Sequence, residues 1–189
     1  MKSFCQPLLD VLIEPEQMAD LPFEKWDLLI RQARRSRLLS RLALLAEERG
    51  LTGNLPVVVK RHLLAAANAA ARQRQAVLWE ARKLDQALSR EGIPALLLKG
   101  AAYVVGDLPP AQGRLFADID ILVPKAALAQ AESTLMLHGW LSSHHSAYDQ
   151  RYYRRWMHEL PPMTHIRRKS NLDVHHNLLP ETAHLRTRP

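Results

Sequence analysis

Cysteine is almost missing from this chain: Cys5 is the only one in 189 residues. That excludes an intramolecular disulfide and a cysteine-based zinc site within one chain. It suits a reducing, cytoplasmic setting. Glycine is scarce, at seven, and the twelve prolines are scattered rather than clustered. Neither a collagen-like nor a disordered chain has that texture. No stretch approaches the ~20 apolar residues a membrane helix needs. After Met1-Lys2-Ser3, the residues Gln6, Pro7 and Asp10 break up any signal-peptide apolar region, so no membrane partner is expected. Also missing are a Gly-x-Ser-x-Gly turn and a phosphate-loop Gly-x-x-x-x-Gly-Lys. Nucleophilic catalysis therefore has little support, and Cys5 stands close to the N-terminus. No internal repeat is visible.

What is present points to a packed, basic protein. Hydrophobic residues make up 47% of the chain, enough for a sizeable core, and the formal charge is +7. The charge leans toward an anionic partner such as a nucleotide or nucleic acid, though many soluble enzymes are equally basic. Residues 1–91 read as helical. Trp26, Ile30 and Ala33 recur at i, i+4, i+7, as do Leu38, Leu42 and Leu45, before Gly50 supplies a stop. Val59, Leu63, Ala66, Ala70, Val77, Ala81, Leu84 and Leu88 then predict one long helix, or two joined near Arg74, over about 56–90.

From Gly92 the texture changes. Ile93 to Leu98 is a short continuous apolar run, which predicts a strand buried on both faces. Lys99-Gly100 opens a short helix, and the loop carrying Pro109-Pro110 follows. Asp118 to Val123 predicts a second strand, Pro124 starts a helix that Gly139 ends, and Asn171 to His175 predicts a last strand. The fold class is α+β: an N-terminal helical region (1–91), then a small mixed β-sheet flanked by helices (92–189).

The chemistry-bearing residues lie on those strands. Alternate side chains share a strand face, so Asp118 and Asp120 point one way while Ile119, Ile121 and Val123 point into a core. Two carboxylates at ~4 Å repel by about 4 kcal/mol at an effective dielectric of ~20. A divalent cation turns that repulsion into attraction, and carboxylate oxygens suit Mg²⁺ or Mn²⁺. Taken alone, Asp-Ile-Asp is more often a solvated strand. Leu172 and Val174 repeat the alternation, with Asp173 and His175 on the other side. If the two strands are neighbours, three carboxylates converge on a two-metal site for phosphoryl chemistry. At the Lys99-Gly100-Ala101 turn, a glycine lets backbone approach a ligand, and free N–H groups can hold phosphate oxygens. Lys99 and Arg114 could meet phosphates, or be ordinary solvated cations.

The order of these pieces resembles the uncharacterised nucleotidyltransferase family within the DNA polymerase β–like superfamily. The matching stretches are LLLKGAAYVV, RLFADIDILVPKAALAQAESTLMLHGW and NLDVHHNLLP, spread over roughly residues 93–180. The resemblance implies a metal-dependent nucleotidyltransferase that moves an NMP from an NTP to an acceptor hydroxyl, releasing pyrophosphate. It implies that Asp118, Asp120 and Asp173 ligate Mg²⁺ (or Mn²⁺), with Asp173 helping to take the acceptor proton. Gly100 and the backbone of Ala101 would cradle the triphosphate. Relatives usually carry Gly-Ser or Gly-Gly-Ser at that turn, and this chain lacks the serine hydroxyl. Relatives also continue further past the third aspartate, so the core is expected to be shortened at its C-terminus. The alternatives are a non-catalytic nucleotide- or RNA-binding module on the same fold, and an interaction protein that self-associates through its N-terminal helices.

Eight of the nine histidines follow residue 137, but no His-x-x-x-His or other regular ligand spacing appears, which disfavours zinc. His175 is a candidate partner for the metal carboxylates. Basic runs at 31–41, 151–155 and 167–169, with Tyr152, Tyr153 and Trp156 interleaved, keep RNA among the candidate acceptors. Such runs are more often solvated faces.

Overall fold

A computed structural model describes residues 6–142 and 158–179. Cys5, His144, His145, His184 and the stretch from Arg151 to Trp156 lie outside the described residues. The helices are α1 (Gln6–Ile13), α2 (Phe23–Arg35), α3 (Leu39–Glu48), α4 (Val57–Arg90), α5 (Lys99–Val105) and α6 (Leu128–Leu137). The strands are β1 (Leu96–Leu98), β2 (Ile119–Leu122), β3 (Trp140–Ser142), β4 (Met163–His165) and β5 (Asn171–His175). The α+β class read from the sequence is the class observed. Among the described residues, no helix is long and apolar enough to cross a membrane.

The chain divides into two compact units, residues 1–75 with 108–115, and residues 76–107 with 116–189. In the first, the i, i+4, i+7 stripes form the core: Trp26, Leu29, Ala33, Leu42, Ala46 and Val59 are all within 1% of full burial. Ser40 ties the 108–115 segment to this unit by donating its hydroxyl to the Gly113 carbonyl at 2.7 Å. Gly113 has a positive φ of 64° and lies so near Arg41 that a Cβ would sit 3.0 Å from its Cα. Glycine is required there on both counts.

The second unit is built on a five-stranded sheet in the order β1-β2-β5-β4-β3. Only β2 and β5 are parallel; the other pairs are antiparallel. Ile119, Ile121, Leu172 and Val174 are at most 4% exposed and anchor the apolar face. Each contributes about 1.5–3 kcal/mol on burial. Ile121 lines an apolar cavity of about 430 Å³ together with Leu84 and Leu88 of α4 and Leu97 of β1. The first strand departs from its expected setting. Only Leu96–Leu98 is regular, it occupies the sheet edge, and Leu96 is 65% exposed rather than buried on both faces.

A part-buried ion pair fastens the β4–β5 turn to α4. Arg168 donates Nε to Glu80 Oε1 at 2.6 Å and Nη2 to Oε2 at 2.9 Å, and the Ser170 hydroxyl also donates to Oε1. The guanidinium lies 5.1 Å from the Trp79 ring and 5.5 Å from Trp140. Arg168 is thereby engaged inside the unit, while Arg167 and Lys169 beside it are exposed.

Candidate active site

Strand register decides what meets here. In the parallel β2–β5 pair Ile119 faces Leu172, Asp120 faces Asp173, and Ile121 faces Val174. Parallel strands stand ~4.8 Å apart, so the apolar pairs stack on one side and the two aspartates are neighbours on the other. Asp118, two residues ahead of Asp120, precedes the strand and is exposed. The apolar burial on the opposite face holds the carboxylates together against their repulsion.

On the other side of β2, Leu98 of β1 is paired with Asp120. The chain leaves β1 through Lys99, whose φ is +46°. A left-handed conformation costs a side-chain-bearing residue about 1–2 kcal/mol. It brings the Lys99 Nζ to 2.5 Å from Asp120 Oδ1. Asp120 is 4% exposed and Lys99 is 64% exposed, so one end of the pair is fixed and the other faces solvent. Gly100 is buried, and a Cβ there would fall 2.2 Å from the Phe116 ring. The close approach that requires glycine is thus made by Phe116. Ala101 is also buried.

His175 ends β5 and is 3% exposed. Its Nε2 lies 3.0 Å from Asp120 Oδ1 and its Nδ1 lies 3.1 Å from Glu159 Oε2. The segment carrying Glu159 is held beside β5 by a Leu160 N–H to Val174 carbonyl bond of 2.8 Å and a His176 N–H to His158 carbonyl bond of 2.9 Å. The His158 ring stacks on His175 with centroids 5.2 Å apart.

These surroundings push the titrations apart. Burial drives the Asp120 carboxyl up, but hydrogen bonds from His175 and Lys99 outweigh it and hold the group below the ordinary aspartate value. The hydrogen bond to Asp120 raises Lys99, against the effect of burial. Asp173 is raised to about 6, first by burial and then by the charges of Asp120, Glu159 and Asp118. Burial lowers His158.

The structure sets Asp120 beside Asp173 across β2 and β5 and Lys99 against Asp120, with Asp118 two residues ahead of Asp120 and Gly100 and Ala101 at the adjoining turn. Arg114 is exposed and belongs to the other unit. Asp118, Asp120 and Asp173 offer an all-oxygen donor set suited to a hard divalent cation. Both contacts to Asp120 use Oδ1, which leaves Oδ2 for such an ion. Sequence reasoning missed Glu159 and passed over His158. Their donor atoms and that of His175 all lie within 4.8 Å of one another, but the residues come from separate segments, so no spacing rule joins them.

A family described as uncharacterised nucleotidyltransferases matches residues 22–189. The match takes in much of the helical region as well as the three stretches noted in the sequence. No curated protein and no solved structure matches the chain.

Proposed function

The chain belongs to the uncharacterised nucleotidyltransferase family, and from that premise we propose that it transfers a nucleoside monophosphate from an NTP to an acceptor hydroxyl, with release of pyrophosphate. The observation that carries this reading is the register of Asp120 against Asp173, with Asp118 two residues ahead of Asp120. Asp118, Asp120 through Oδ2, and Asp173 are the residues that would hold Mg²⁺ or Mn²⁺. When bound, such ions would neutralise the phosphate charge and lower the pKa of the acceptor hydroxyl.

The remaining roles fall to the chain's own groups. Asp173, beside Asp120 in the strand register, is the carboxylate that would accept a proton from the incoming hydroxyl. Asp120 stays ionised because Lys99 and His175 both stabilise its charge. Lys99 has a solvent-facing ammonium beside the cluster and supplies a positive charge for a phosphate oxygen. The backbone at Gly100 and Ala101 lies at the start of the short helix that follows. The Phe116 ring packs directly against Gly100 at that turn. RNA, a protein side chain and a small molecule all offer the required acceptor hydroxyl.

Incubation with each α-labelled NTP, Mg²⁺ or Mn²⁺, and fractionated lysate tests the reading. Label is expected in one acceptor fraction and absent with Asp118→Ala. NTP binding without any label transfer would replace the enzyme with a binding module.

A further inference from the structure

We propose that His158, Glu159 and His175 form a second cation site, distinct from the three-aspartate cluster and selective for Zn²⁺ or a similar transition ion. Such a site would bind its ion whether or not the chain transfers nucleotides. His175 stands between two carboxylates, at 3.0 Å from Asp120 and 3.1 Å from Glu159. A neutral imidazole has one N–H to give. With that proton on Nε2, directed at the buried Asp120, the Nδ1 lone pair faces a Glu159 oxygen. A cation between them converts this opposition into two bonds. Zinc bonds to N and O of ~2.0–2.1 Å spanning that gap enclose about 100°, near the tetrahedral angle.

The third residue, His158, is independently marked. His158 Nδ1 is buried and has no hydrogen-bond partner among the described residues. Its ring already lies over His175, the planes inclined by 28°, and the three donor atoms fall within 4.8 Å of one another. Gathering them on one ion closes separations of up to 4.8 Å to the ~3.3 Å of ligands around zinc and turns the His158 ring out of its stack, so that both imidazole lone pairs converge. Two imidazoles and one carboxylate favour a borderline ion over Mg²⁺, which prefers oxygen alone. Three protein ligands leave a fourth position open to water. The hydrogen bond from His175 to Asp120 is the carboxylate–histidine–metal arrangement that orients a ligating imidazole. An ion here would thus fix the N–H that holds Asp120.

The test is equilibrium dialysis of the full chain against Zn²⁺ in millimolar Mg²⁺, with elemental stoichiometry. Wild type and Asp118→Asn are expected to retain one Zn²⁺ per chain. His158→Ala and Glu159→Gln should bind at least tenfold more weakly. Substituted with Co²⁺, wild type should show the intense visible bands of four- or five-coordination, a readout that needs no variant to fold. A pale octahedral spectrum would overturn the proposal. So would failure to retain Zn²⁺, retention unchanged in all the variants, or loss in Asp118→Asn with retention in His158→Ala.

Discussion

Replacing Asp173 by asparagine removes a half-buried carboxylate that its surroundings hold at about 6. The unfolded chain loses that proton near pH 3.9. Between those two values the folded state binds more protons than the unfolded one, so wild-type stability falls as pH rises through the window. The raised pKa is about two units above its ordinary value, which at ~1.4 kcal/mol per unit sets a ceiling of about 3 kcal/mol. Solvent reaches part of this face, and screening reduces the figure to about 1–2 kcal/mol. Asp173→Asn is therefore expected to be more stable than wild type by about 1–2 kcal/mol at pH 7.5 in a chelator, while losing catalysis. At pH 4.5, where folded Asp173 is mostly protonated, the gain should shrink to less than half. Urea unfolding at the two pH values measures both. A variant no more stable than wild type at pH 7.5, or a gain equal at both pH values, would refute the reasoning.

Other residues give sharp expectations. Lys99→Ala removes a largely exposed partner of Asp120, so stability should change by under about 1 kcal/mol; NTP affinity, read by titration calorimetry, should drop about tenfold. Gly100→Ala drives a methyl into the Phe116 ring and should cost about 1–3 kcal/mol by thermal melting, with Phe116→Leu recovering part of it. Glu80→Gln leaves the Arg168 guanidinium without its bidentate partner, and a loss of about 3 kcal/mol in chemical denaturation is expected.

Where a pattern is local, the sequence carried it. The alternation of Leu172 and Val174 with Asp173 and His175 marked β5 at Asn171–His175, the bounds observed. The Val59-to-Leu88 stripe marked α4, which runs unbroken past Arg74. What depends on neighbours was not legible. The apolar run before Lys99 reads alike for a central or an edge strand, and only pairing shows that, among the described residues, β1 has β2 alone beside it. That β5 lies between β2 and β4 is likewise a tertiary fact, so the meeting of Asp120 and Asp173 stood as a condition. Gly100 was legible as a close approach, but the approaching group is the ring sixteen residues later. Glu159 reaches His175 through an isolated bridge ahead of the start of β4, a contact without a sequence signature.

The most direct measurement of the central claim is Mn²⁺ binding, followed by electron paramagnetic resonance on the full chain with and without an NTP. Wild type should bind Mn²⁺, more tightly with NTP present. Asp120→Asn and Asp173→Asn should each weaken that binding by at least tenfold while remaining folded. Equal Mn²⁺ affinity in wild type and both variants would mean that these side chains, although neighbours across β2 and β5, do not hold a metal.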